Sequence, residues 1–358
     1  MLSFEKGAPI AKIRGGPDDG RILRVDANLT EPELEITDMF DVIKSDMLTP
    51  SLRKRYDPHV LETVVKAVRR GKPPTERSLI TPYQTIMEIL SDRVGKEYHT
   101  NEGVLTQTPN TRLDRECLYV AGPSGSGKSV YTRSYVKNYL ERFPGRPVYV
   151  FSRVAGDKSL LEDLPEEDND ESTYSSDSES SEGSFFDEQS DLDIDEDDEE
   201  EEDDDPAFDY GAGSDNSEIK YVRIDDSLVE DPIDPEELNK TLVIFDDIDT
   251  IPDKDQREYV TQLRNDLLET GRHVKCTMVN TSHHLTDYKR TRTLLNESTS
   301  VTFYPRMGGC SQIKRYLSVY AGMTRQQIDR ILNLPSRWVT ISRTAPMWVL
   351  YDRGCYLV

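Results

Sequence analysis

Eight residues, Gly122-Pro123-Ser124-Gly125-Ser126-Gly127-Lys128-Ser129, follow an apolar run at 117–121 and open a helix-forming stretch. The pattern is Gly-x4-Gly-Lys-Ser. Its glycines let backbone N–H groups wrap an anion at a helix N-terminus, where the dipole also favours negative charge. Lys128 is placed to reach the β- and γ-phosphates of a nucleotide, and Ser129 to hold Mg²⁺. With Val130 the stretch Gly122–Val130 is the candidate ATP contact, the alternative being a loop that matches by chance.

A second stretch, Leu242-Val243-Ile244-Phe245-Asp246-Asp247, reads as a buried strand delivering two carboxylates at its C-terminal end, where ligands bind in parallel sheets. Asp246 would join Ser129 around Mg²⁺, and Asp247 would polarise an attacking water. Two adjacent acids point to water as the acceptor, hence to ATP hydrolysis. The plain alternative is that Asp247 only caps the turn into Ile248-Asp249-Thr250. A third stretch ends in polar residues, Thr281-Ser282-His283, where a side chain sensing the γ-phosphate belongs; Ser282 is the candidate. Arg272, in Gly271-Arg272-His273, could reach a neighbour's nucleotide as an arginine finger. It could equally be a cation at a helix C-terminus, stabilising the dipole.

These groups need a scaffold, and the rhythm of the chain supplies one. From 115 strands and helices alternate, with strands expected at 117–121, 148–152, 220–224, 241–245, 273–281, 300–304, 337–342 and 347–351. Helices are expected at 128–142, 255–270, 286–295, 312–319 and 325–332. The fold class is α/β: a P-loop NTPase with a mainly parallel sheet of the extra-strand type, a small α+β N-terminal region and a disordered acidic insert. The expected strand order is second strand, acid strand, sensor strand, phosphate-loop strand, then 300–304. Residues 1–114 form an N-terminal hairpin and helical region, 115–358 the ATPase core, and 162–218 the insert. Within 1–114, residues 1–25 read as a β-hairpin turning at Gly15–Gly20, and 31–98 as helical. Asp57 caps a helix with Pro58 at its first position and a stripe of Val60, Leu61, Val64, Val65 and Val68. Thr81-Pro82-Tyr83-Gln84 reads as a capping box opening the next helix, with Ile86, Ile89 and Leu90 inward. Residues 99–114 read as a polar linker.

The net charge of −24 is misleading taken whole. Residues 162–218 hold 28 Asp and Glu with no Lys or Arg, including eleven consecutive acids at Asp195–Asp205, and cannot bury themselves. That segment is a solvated loop, a phosphorylatable tail or a mimic of nucleic acid. Without it the chain is slightly basic, and residues 286–358 carry 11 Lys and Arg against 4 acids. Such a tail suits backbone phosphates, or is ordinary basic surface. Four scattered cysteines and a bare His283–His284 doublet argue against a disulfide framework or a zinc site. No apolar run is long enough for a membrane span and no secretory segment opens the chain, so the expected location is intracellular.

The motifs GPSGSGKS, LVIFDDID, ETGRH and TSHH, followed by YPRMGG and SRWVTISRTAPMWVLYDRGCYL, together resemble P-loop proteins of large double-stranded DNA viruses. They are similar to the poxvirus-type virion DNA-packaging ATPases of the FtsK/HerA division, over about 115–358 without the insert. The resemblance implies that Lys128 and Ser129 bind nucleotide, Asp246 binds Mg²⁺, Asp247 is the catalytic acid and Arg272 is the division's arginine. The division often has Glu at the position of Asp247 and Gln at the sensor. It also implies a ring moving double-stranded DNA into a virion, with capsid or assembly proteins as partners, at a host cytoplasmic or viral assembly site. The rivals are a nucleotide kinase, against which no Arg-rich lid follows the phosphate loop, and an assembly protein that binds ATP with little turnover.

Overall fold

The computed structural model describes residues 1–29, 50–153, 219–287 and 289–358. The helical stretch expected at 31–49 and the acidic insert at 162–218 lie outside them. In chain order β1 (Leu2–Ser3), β2 (Ala8–Arg14) and β3 (Ile22–Val25) precede α1 (Pro50–Arg55), α2 (Pro58–Arg69) and α3 (Arg77–Arg93). Then come β4 (Glu97–His99), β5 (Val104–Gln107), β6 (Cys117–Ala121), α4 (Lys128–Arg142), β7 (Val148–Ser152) and β8 (Ile219–Arg223). They are followed by α5 (Asp226–Glu230), β9 (Leu242–Phe245), α6 (Lys254–Thr270), β10 (Thr277–Ser282), α7 (Arg292–Glu297) and β11 (Ser300–Phe303). The last elements are α8 (Cys310–Arg315), α9 (Arg325–Leu332), β12 (Val339–Ser342), β13 (Trp348–Tyr351) and β14 (Gly354–Leu357).

Ten strands make one sheet in the order β4-β14-β13-β12-β11-β6-β10-β9-β7-β8. The strands from β11 to β8 run parallel, and those from β12 to β4 add on antiparallel. The sensor strand β10 lies between the phosphate-loop strand β6 and the acid strand β9, as expected. All four residues of β9 and all five of β6 are buried, which is why both read as unbroken apolar runs. At the antiparallel end the two-residue period divides the side chains. Trp348, Leu350 and Cys355 pack with Ile10, Ile13 and Leu23 of a second, four-stranded antiparallel sheet, β1-β3-β2-β5. Val349 and Tyr351 face the core on the other side with Ile313, Tyr316 and Leu317.

The expected hairpin is β2–β3, and Asp57 caps α2 by accepting a bond from His59 N at 2.8 Å. Three expectations need correction. The capping box does not open α3, which begins at Arg77 and carries Pro82 inside it. Leu79 is buried with Ile86 and Leu90 against Leu61 and Val64, so tertiary burial holds a first turn that the proline alone would forbid. The helix expected from 286 begins at Arg292, because Asp287 and Thr291 bond each other across a turn. The polar linker contains β5, and β4 ends at its first residue. Their polar side chains are buried but partnered: Gln107 accepts from Tyr131 Oη at 2.5 Å and donates to Ser300 Oγ at 3.2 Å. Glu97 accepts both guanidinium nitrogens of Arg330 at 3.0 and 2.9 Å.

Glu116, just before β6, is buried where α4 meets the chain at 110. Its Oε2 accepts from Tyr135 Oη and Asn110 N, both at 2.9 Å, yet burial pushes its carboxyl up to about 7. The folded state therefore holds this proton more tightly than the unfolded chain does. That contribution is complete below about pH 4.5 and is lost as pH rises through about 7, at roughly 3 kcal/mol in full. Glu116→Gln removes this slope. Urea denaturation of both proteins from pH 5 to 8 should show their stabilities diverging in the variant's favour as pH rises, and parallel curves would contradict the shift.

Candidate active site

The phosphate loop turns on two glycines that no other residue could replace. A Cβ at Gly122 would lie 2.5 Å from Tyr304 Cδ2 and 2.7 Å from Ser126 Oγ, and Gly127 sits at φ +108. From Gly127 the helix α4 begins, so its first N–H groups face the loop. Ser126 is buried and its hydroxyl has no hydrogen-bond partner among the described residues. Pro123, Ser124 and Gly125 form the exposed crest, and Ser129 and Val130 are exposed at the start of α4.

Lys128 is 7% exposed, and a buried ammonium needs compensation. Its Nζ donates to Gly122 O at 3.1 Å and stands 3.4 Å from Asp247 Oδ2. The sequence motif and the acid strand thus meet at one ion pair. Asp247 takes the left-handed conformation, φ 43 and ψ 38, one residue after Asp246. This conformation is tolerated by Asp better than by most residues. The side chain does not cap the 3-10 turn that follows; it faces Lys128 and His283, whose Nε2 is 3.1 Å from Asp247 Oδ2.

Thr281 ties the two acids together. Its Oγ1 accepts from Asp247 N at 2.8 Å and donates to Asp246 Oδ1 at 2.8 Å, with Asp247 Oδ1 at 3.2 Å. The sequence placed a sensor among Thr281, Ser282 and His283 and favoured Ser282. The structure brings Thr281 and His283 to the acid pair and does not bring Ser282, whose hydroxyl donates to Asp249 Oδ2 at 2.9 Å. Neighbouring residues of a strand point to opposite faces, and sequence alone does not say which face holds the acids. Sequence reasoning also missed Arg337 and Tyr304. Arg337 Nη2 donates to Gly125 O at 2.6 Å, and the buried Tyr304 ring closes over Gly122. Neither carries a spacing signal, since both come from segments far along the chain.

Arg272 is exposed at the other end of the sheet. It follows α6 and precedes β10, so the strand's length, roughly 15–20 Å, separates it from Asp247 in the same chain. The carbonyls ending α6 already have a cation: Arg115 donates to Leu267 O and Leu268 O at 2.5 and 2.6 Å.

A Gly-x4-Gly-Lys-Ser loop between β6 and α4, with an acid strand one place removed across β10, defines a P-loop NTPase of the extra-strand type. No family model matches the chain. It is 33% identical over 266 residues to the uncharacterized protein V3 of Sputnik virophage, an alignment covering 74% of this chain and 85% of that protein. The chain belongs to the family of that virophage protein. Among solved structures it is similar to B204, the DNA-packaging ATPase of Sulfolobus turreted icosahedral virus, at a TM-score of 0.37 and 10% identity over 64% of this chain and 94% of that one. The genome-packaging NTPase B204 of Sulfolobus turreted icosahedral virus 2 with AMPPCP gives 0.35 and 8% over 64% and 93%. No helix among the described residues is long and apolar enough to cross a membrane.

Proposed function

We propose that this chain is an ATP hydrolase of the FtsK/HerA-like type that moves double-stranded DNA during virus assembly, working as a ring. The observation that carries the enzymatic part is the contact of Lys128 with Asp247, which brings the phosphate-binding cation and the water-polarising acid to one point. A γ-phosphate arriving in the loop competes for Lys128 and so releases Asp247 to accept a hydrogen bond from water. His283 and Thr281 then keep the carboxylate aimed. Arg272, exposed and remote from its own site, serves the nucleotide of a neighbouring subunit.

The donor set suits Mg²⁺. No three His, Cys, Asp or Glu side chains cluster as a metal site among the described residues, and Mg²⁺ on a nucleotide needs only one or two protein oxygens beside phosphates and water. Ser129 and Asp246 would hold it, and when bound it neutralises phosphate charge. The Lys128–Asp247 pair also supports a second reading, an assembly protein that binds ATP and seldom turns it over because the pair seldom opens. An ATPase assay on a sized oligomer, with and without double-stranded DNA, separates the two. Turnover stimulated by DNA is the expected result; clear ATP binding with no turnover in either case favours the second reading.

A further inference from the structure

Beside the acid pair, on the far side of Thr281 and Ser282, lies a groove of about 470 Å³ between α6 and the turn leading into α7. One wall is a face of α6 on which Lys254, Arg257 and Arg264 recur at helical spacing, a stripe on the order of 15 Å long. The opposite wall presents Lys289 and Arg290, both exposed. Against these five cations the lining has two acids, Asp249 and Glu258. The charge is therefore strongly positive in a concave place, where field lines concentrate.

Arg264 sets this groove apart from ordinary basic surface. It is 6% exposed, and its guanidinium donates to Asn265 Oδ1 at 2.9 Å through Nη2. Among the described residues no carboxylate oxygen lies within 4.0 Å of it. Burial pulls its pKa down to about 10, partly offset by the more distant Tyr119 and Asp249. A buried cation without a close anion is costly, and such a site gains from an anionic ligand. Asp249 is itself half-satisfied: Oδ2 accepts from Ser282 while Oδ1 is buried without a partner. Ser282 and Thr281, the residue that bonds both acids, line the groove together with Arg264.

We propose that this groove binds the phosphate backbone of double-stranded DNA, with Arg264 taking a phosphate at the floor and Lys254, Arg257, Lys289 and Arg290 tracking its neighbours. The extended stripe fits a chain of phosphates better than a single small anion. Occupancy at Arg264 relaxes its attraction to Asp249, frees the Ser282 contact to adjust, and so reaches Thr281 and the acid pair. The inference rests on the DNA reading above and adds where the duplex is felt.

The test uses the full chain and a labelled DNA duplex, with anisotropy measured over a salt series. Lys254→Gln combined with Arg290→Gln changes two exposed side chains and leaves the fold intact. It should lower the slope of log affinity against log salt by about two, one per lost phosphate contact. ATPase without DNA should stay at the wild-type rate, and stimulation by DNA should fall. Arg264→Gln should weaken binding further and abolish stimulation; should it unfold the protein, the rim pair decides. A wild-type slope in the rim variant, on a chain that binds DNA, sinks the groove and leaves the DNA reading standing. A chain that hydrolyses ATP but binds no duplex even at low salt sinks both.

Discussion

Asp247→Asn binds ATP at least as tightly as the unaltered chain and turns it over about 10²–10⁴ times more slowly, the usual worth of a positioned proton acceptor. The two halves of this result come from the same contact. Asn keeps the shape and tolerates the left-handed conformation at φ 43, so the turn after β9 survives. It cannot carry the charge that polarises water. It also frees Lys128, whose ammonium stands 3.4 Å from Asp247 Oδ2, to attend to phosphate alone. Lys128→Ala should behave differently: the cation facing the phosphates is gone, and ATP affinity falls with turnover. Titration with a fluorescent ATP analogue, alongside single-turnover hydrolysis, separates the pair. Equal loss of affinity in both variants would contradict separate roles. Asp247→Ala is a poorer probe, since it adds the cost of a left-handed residue without a polar side chain.

How much of this site was legible in the sequence depends on how local its causes are. The loop, the strand before it and the helix after it are fixed by glycines, a continuous apolar run and a helix-forming stretch, all within 26 residues, and β6 and α4 fall where expected. The order of β6, β10 and β9 follows from the extra-strand type that the phosphate loop and the acid strand imply, although β10 itself carries Thr277, Asn280, Thr281 and Ser282. The failures share a non-local cause. β5 reads as linker because Gln107 is polar, and Glu97 of β4 falls in the stretch that reads as helical; their partners, Ser300 and Arg330, lie 193 and 233 residues away. Ser282 ranks with Thr281 in the sequence because alternate residues of a strand face opposite sides, and no local signal says which side meets the acids of β9. Arg337 reaches Gly125 O across 212 residues, and no spacing rule spans that distance.

Arg272→Ala should bind ATP almost normally and lose most turnover, by as much as the 10³–10⁵ that a transition-state arginine is worth. The alternative, a cation stabilising the end of α6, is weakened by Arg115, which already bonds the carbonyls of Leu267 and Leu268. A side chain that is exposed and a strand's length from its own acids can act on γ-phosphate only in another subunit. That geometry makes complementation the decisive measurement. An Arg272→Ala subunit keeps Lys128, and a Lys128→Ala subunit keeps Arg272. Where the first offers its nucleotide to the second, the interface is whole. In a ring of head-to-tail contacts mixed at random, roughly a quarter of the interfaces are whole at equal proportions, and none at either end of the series. ATPase rate against mixing ratio should therefore rise to a maximum near equality, under conditions where subunits exchange. A stability loss in Arg272→Ala, seen as a lower Tm, would return the residue to a helix-capping role. A flat line at the single-variant level, from subunits shown to exchange, would remove both the finger and the ring that needs it.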